Sequence, residues 1–278
     1  MRLVFVLCVL LIGCGPKAFP EKFYFGASTA GFQVDPGCPS SNCTDTKSDW
    51  YQWVNSEAEL QDLKDLITFE PLENAPGFWE LYPQDFDRAK SDMGLNSIRL
   101  SIEWSRIFPT ATDGLEGDAL AAVADQANIA TYHAQFAALK ARGMTPLVTI
   151  HHYTLPLWIH DGVACHKDLA TCTNRGWLDR ARIVREIAKY SGFVAKEFGG
   201  EIDLWATQNE PFAVVLPGYL LPSKDRVNPP GLSYRFAEAK AVMNAMIEAH
   251  ARMYDAVKAN DLVDADKDGK ASMVGLVY

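Results

Sequence analysis

Cationic surplus is what this sequence most clearly lacks. Its 26 Lys and Arg stand against 35 Asp and Glu, a formal charge of −9, and no basic cluster interrupts the deficit. That balance repels a phosphate backbone and excludes DNA or RNA as the partner. A glycine-rich phosphate signature is also missing: "GASTAGFQVDPG", Gly26 to Gly37, lacks the G-x-G-x-x-G spacing of a dinucleotide fold. There is no internal repeat and no low-complexity tract. The apolar run at the N-terminus, Leu3 to Ile12, is too short to span a bilayer. No pair of cysteines has the C-x-x-C spacing of the commonest zinc ligands.

What the N-terminus does contain is more specific. In "MRLVFVLCVLLIGCG" one basic residue, Arg2, precedes the apolar run, the pattern of a signal peptide. The run closes on Leu11-Ile12-Gly13-Cys14, which resembles the lipobox of bacterial lipoproteins and implies cleavage before Cys14 and lipid on its sulfur. The alternative is an ordinary secretory signal in which Cys14 is incidental. Residues 1–14 are therefore expected to be a leader outside the fold. The protein is expected to be exported and anchored at a bacterial membrane, periplasmic or at the cell surface. Four cysteines remain after Cys8 and Cys14, in two close pairs, Cys38/Cys43 and Cys165/Cys172. In an oxidising compartment these are expected to form two local disulfides, preferred over a zinc site with His166.

A hydrophobic content of 48% over 278 residues suffices for one sizeable core. Five short runs have strand character: Phe23–Thr29, Ser97–Ile102, Thr145–His152, Leu204–Glu210 and Ser272–Tyr278. Most are apolar at consecutive positions, as parallel strands covered on both faces should be. Helical patterns alternate with them. Ile183, Ile187, Tyr190, Val194 and Phe198 trace one face, and Phe236, Ala239, Met243, Met246, His250, Met253 and Val257 another, with His250 expected to be packing. Asp85–Met93 and Ala119–Arg142 supply two more. The alternation predicts a parallel sheet with right-handed crossovers, and the missing glycine signature favours a barrel over an open doubly wound sheet.

Polar residues gather where these strands end: Gln33 after the first, Arg99 in the second, His151 and His152 closing the third, Asn209 and Glu210 closing the fourth. The C-terminal rim of a barrel is where catalytic groups collect. Here the chain resembles glycoside hydrolase family 1, the β-glucosidase and β-galactosidase family. The resemblance is carried by "FYFGASTAGFQVD", "YPQDFDRAKSDMGLNSIRLSIEWSRIFP", "TPLVTIHHYTLPLWI" and "LWATQNEPF", in the family's order and spacing. It runs from about Phe19 onward, and implies an α/β fold, the first five strands and four helices of a (β/α)8 TIM barrel, incomplete here, over residues 15–278.

The resemblance implies a retaining β-glycosidase acting on a carbohydrate substrate by double displacement, with no cofactor. Glu210 matches the acid/base, Asn209 the ligand of the sugar 2-hydroxyl, Gln33 and His152 the glycone hydroxyl ligands, and Arg99 the arginine that pairs with the nucleophile. His151, pointing opposite to His152, is expected to pack. Departures fall at Asp35, where Glu is common, at Tyr153, where Trp or Phe is common, and at Thr154, where Asp is common. The family's nucleophile, a Glu in a Thr-Glu-Asn-Gly-like motif near the seventh strand, has no counterpart in this sequence, and Glu103, Glu201 and Asp203 do not stand at its position. The chain is accordingly expected to hydrolyse little or nothing by itself. The alternatives are a non-catalytic carbohydrate-binding lipoprotein and one half of a split enzyme completed by a partner chain carrying the C-terminal half-barrel. Asp264, Asp266 and Asp268, before Gly269, resemble the start of a calcium loop, but Gly275 stands where that loop needs Glu, so a solvated acidic turn is preferred.

Overall fold

The computed structural model of the chain describes residues 18–224 and 226–278. The leader, residues 1–14, and Cys14 lie outside the described residues. Five strands are present: β1 (Gly26–Ser28), β2 (Ser97–Ser101), β3 (Thr145–His151), β4 (Leu204–Asn209) and β5 (Met273–Val277). They pair in sequence order, every pair parallel. Four long helices connect or follow them: α1 (Phe78–Ser91), α2 (Gln126–Ala141), α3 (Arg180–Phe198) and α4 (Phe236–Asn260). Consecutive parallel strands joined by helical crossovers give the strand order of a TIM barrel, and among the described residues the sheet does not close.

The helix faces form as their spacing predicts. Ile183, Ile187, Tyr190, Val194 and Phe198 of α3 are all buried, as are Met246, Met253 and Val257 of α4. Phe236 departs from its stripe, exposed at the first position of α4. His250 is half-buried and its Nδ1 lies 2.7 Å from Thr207 Oγ1, so it packs the helix against β4 as expected. Two helix boundaries differ from the periodicity. The region Ala119–Arg142 splits because Asp125 caps a new helix, accepting from Ala127 N and Asn128 N at 3.0 Å. The helix expected at Asp85 starts at Phe78, running through Pro83, because burying Phe78 and Trp79 outweighs the hydrogen bond proline cannot make.

The edges differ from the centre. Every residue of β4 is buried, whereas β1 is exposed throughout and β5 largely so. Only three residues of the expected first strand join the ladder. Ahead of them, Asn96 takes over, its side chain accepting from Phe25 N (2.7 Å) and donating to Phe23 O (2.9 Å). Phe19, Phe23 and Phe25 cluster there, tilted or edge to face, with ring centroids 4.5–4.9 Å apart. The structure joins Cys38 to Cys43 and Cys165 to Cys172, with Cα–Cα distances of 5.9 and 4.9 Å. Both bridges pin loops on the side of the strand C-termini.

Core burial and surface exposure on the long helices should separate cleanly. Ile187→Ala, at a fully buried position of α3, is expected to destabilise the chain by roughly 2–5 kcal/mol. Ile247→Ala, 61% exposed on α4, should cost under about 0.5 kcal/mol. Urea unfolding of the two variants checks the contrast.

Candidate active site

The strand ends bring the sequence-predicted residues together. Arg99 on β2 donates from Nε to Ser28 Oγ on β1 and from Nη2 to Asn209 Oδ1 on β4, each at 2.8 Å. Asn209 Nδ2 in turn donates to Tyr153 Oη at 2.7 Å, and Tyr153 Oη donates to Glu210 Oε2 at 2.6 Å. Burial works against the Arg99 charge, while Tyr153 and Glu210 favour it. Among the described residues Arg99 forms no ion pair with a carboxylate.

Glu210 owes its direction to its backbone. It sits at φ 40°, ψ 71°, between the last residue of β4 and a helical turn opened by Pro211. A residue before proline is normally extended, so this left-handed geometry costs about 1–2 kcal/mol and must be held by its surroundings. Glu210 N donates to Val277 O of β5 and Glu210 O accepts from Ala213 N, both at 2.8 Å. Tyr153 is also left-handed, at φ 74°. The next residue, Thr154, donates through Oγ1 to the buried Glu103 carboxylate, and Trp50 stacks on the Tyr153 ring at 6.1 Å with 16° between planes.

A cleft of about 440 Å³ opens beside this chain of bonds, lined by Gln33, Trp50, His152, Tyr153, Ala213, Arg226, Val227 and Asn228. Gln33 is exposed and faces the cleft from the turn after β1. Burial, then the charge of Arg99, pushes His152 down to about 4, so its ring is neutral at ordinary pH and available to a hydroxyl. Its neighbour His151 is buried against the edge of Trp177, neither ring nitrogen has a partner, and burial pushes it down to about 3. Packing is its role. A larger groove, about 610 Å³, lies among the outer helices between Glu116 and Asn260, away from the strand ends.

The three departures from the family pattern take different paths. Asp35 is buried and pairs with Arg106 at 3.2 Å, so it supports the loop and does not reach the cleft. Thr154 binds Glu103, and only Tyr153 touches a catalytic candidate. Trp50 and Arg226 line the cleft without having been singled out from the sequence; Trp50 sits on a six-residue helix, Asp49–Val54, too short for a periodic face, and Arg226 in an irregular segment. The alternative acids are placed elsewhere. Glu103 is sealed under the Gly31 turn, Glu201 pairs with His133, and Asp203 precedes β4 at the opposite end of the sheet. Asp203 gathers with Asp264 and Asp266, carboxylate oxygens within 4.8 Å of one another, while Asp268 is not in that group. These carboxylates already accept backbone bonds from their own loop, as Asp203 does from Ala265 N and Asp266 N.

Taken together, a parallel sheet in barrel order, with a carboxylate on a strained turn after β4 beside a cleft lined by aromatic and polar side chains, defines part of a TIM barrel with its polar groups gathered at the strand ends. The model of glycosyl hydrolase family 1 matches residues 16–276, and the chain belongs to that family. It is 34% identical over 282 residues to a β-galactosidase of Pyrococcus woesei, covering 94% of this chain and 54% of that protein. A β-galactosidase of Sulfolobus acidocaldarius is 35% identical over 262 residues, 87% of this chain and 51% of the relative. Among solved structures, a hyperthermophilic β-glucosidase from Pyrococcus furiosus superposes with a TM-score of 0.82 at 32% identity, over 94% of this chain and 55% of that one. The β-glycosidase of Thermosphaera aggregans gives 0.81 at 30%, over 94% and 55%. The chain thus spans about half the length of the curated relatives it matches.

Glu103 carries a pH signature. Burial lifts its carboxyl from 4.5 to about 7, against the hydrogen bond from Thr154 and with a smaller push from Asp35. The folded protein therefore holds a proton that the unfolded chain releases. This contribution to stability is complete below about pH 4.5 and declines as pH rises towards about 7. Glu103→Gln, which cannot ionise, should remove that decline, read as urea midpoints measured across the window.

Proposed function

We infer that this protein is a retaining β-glycosidase, acting on β-glucosides or related β-glycosides, with Glu210 as its acid/base. The observation that carries the reading is the placement of Glu210 on a left-handed turn at the end of β4, bonded to the Tyr153 that lines the cleft. In the first step the protonated Glu210 delivers its proton to the glycosidic oxygen as the bond to the anomeric carbon breaks; in the second, the carboxylate takes a proton from water. Gln33 and the neutral His152 ring supply hydrogen bonds for sugar hydroxyls, and Trp50 offers an aromatic face. One N–H of Asn209 remains for the 2-hydroxyl, since Tyr153 takes only the other.

Double displacement needs a second carboxylate on the opposite face of the sugar, at about 5–5.5 Å from the first. Arg99 is placed to receive it, and in this reading the nucleophile is supplied from outside the described residues. An added anion can take its place. With azide and an aryl β-glucoside, the chain should form the α-glucosyl azide by one inversion, Glu210 protonating the departing alcohol where it is basic. Without azide little or no hydrolysis is expected. Rapid hydrolysis without azide would overturn the missing-nucleophile part. No azide adduct, or one unaffected by Glu210→Gln with an alkyl leaving group, would overturn the acid/base assignment.

Among the described residues the outer edges of β1 and β5 have no partner strand, which supports a second reading, in which a partner chain completes the barrel. A non-catalytic sugar-binding protein is distinguished from both by calorimetric binding that survives Glu210→Gln with no turnover or azide adduct. Export and a lipid anchor belong to the same proposal, supported by the leader and Cys14. Expressed in a bacterial host, the chain should fractionate with membranes, and Cys14→Ser should move it to the soluble fraction.

A further inference from the structure

The hydrogen bonds at the strand ends run in one direction only. A guanidinium donates and never accepts, so the bond from Arg99 fixes the amide oxygen of Asn209 towards it. The amide nitrogen must then point at Tyr153, and its N–H occupies a lone pair of the phenol oxygen. The phenol proton is left facing Glu210 Oε2, at 2.6 Å. Among the described residues no protein donor reaches the other carboxylate oxygen, Oε1.

We propose that Tyr153 is a positioning residue for Glu210, holding Oε2 so that Oε1 is the oxygen that carries and transfers the proton. The proposal rests on the acid/base reading of Glu210. As the glycosidic bond breaks, the proton passes from Oε1 to the departing oxygen, and the phenol keeps its own proton throughout. A phenol binds a carboxylate more strongly than a carboxylic acid, because charge-assisted bonds are the stronger ones. Tyr153 therefore stabilises the carboxylate formed by the transfer, and it fixes which oxygen faces the substrate.

The surroundings support this role. The left-handed backbone of Tyr153 is held by Thr154, which donates from N to His152 O at 3.0 Å and from Oγ1 to Glu103. Trp50 covers one face of the ring. The charged and titratable groups facing the phenol are Glu210, Arg99, Arg226 and His152. Burial first, then the bond to Glu210 and its charge, pushes the phenol up to about 12, with Arg226 pulling the other way. The phenol remains a donor over the whole working range of pH.

The test needs no turnover. In the chain labelled with 13Cζ-tyrosine, the resonance lost in Tyr153→Phe identifies Tyr153. In the wild type it should stay that of a neutral phenol to pH 11. In Glu210→Gln, which removes the charge and the carboxylate acceptor but keeps the shape, ionisation should begin about one pH unit lower, a tenfold weaker hold on the proton. An unchanged titration in Glu210→Gln would overturn the proposal. A kinetic arm separates positioning from packing. With azide present, Tyr153→Phe should lower kcat about tenfold for an alkyl β-glucoside, which needs acid assistance, and hardly at all for a nitrophenyl one, with KM unchanged. Equal losses on both substrates would also overturn it. A wild-type chain that turns over neither substrate would defeat the acid/base reading, while the phenol titration would still decide the Tyr153–Glu210 contact.

Discussion

Arg99 reaches from β2 across β3 to Asn209 at the end of β4, and because a guanidinium has only donors, the amide oxygen has to face it. That single constraint orders the rest of the strand ends. It sets the amide of Asn209, the amide sets the phenol of Tyr153, and the phenol sets one oxygen of Glu210. Four side chains from three strand ends thus have one consistent hydrogen-bonding arrangement. Arg99 itself is tethered to β1 through Ser28, so the network ties together most of the sheet.

Such a network holds only if its backbone supports are rigid. Two non-glycine residues in it, Tyr153 and Glu210, have left-handed backbones, a conformation that persists where neighbours over-determine it. For Glu210 the support is the ladder: its amide bonds to Val277 of β5, so a short and partly exposed strand fixes the catalytic candidate. For Tyr153 it is the buried Glu103 beneath it. Glu103 also receives Ser101, whose hydroxyl accepts from Gly31 N, and a Cβ on Gly31 would come within 2.5 Å of the Glu103 carboxylate. The turn carrying Gln33 and the turn carrying Tyr153 therefore rest on the same buried carboxyl.

Much of the fold was legible in the sequence because its signals are local. The stripe from Ile183 to Phe198 and the consecutive apolar positions of β4 identify a helix and a doubly covered strand by period alone. Boundaries were less legible. The cap of Asp125 divides one expected helix in two, and Asn96 replaces ladder pairing ahead of Gly26, both side-chain choices that periodicity does not register. At the site, Gln33, Arg99, His152, Asn209 and Glu210 stood out because polar residues are unusual at the ends of buried strands. Trp50 and Arg226 did not, since a helix of six residues and an irregular segment, neither with a readable period, bring them to the cleft.

The amino-acid sequence by itself determined the alternation of strands and helices, the family pattern and the carboxylate, Glu210, that directly follows the fourth strand. Those are properties of short stretches, set by side-chain chemistry and spacing. Only the tertiary structure decided what the departures at positions 35, 153 and 154 do: Asp35 turns inward to Arg106, Thr154 to Glu103, and Tyr153 to Glu210. Three departures from a pattern look alike in a sequence. They separate once parallel pairing has fixed which face each residue presents, because a hydrogen bond depends on ångström distances between groups that can lie over a hundred residues apart.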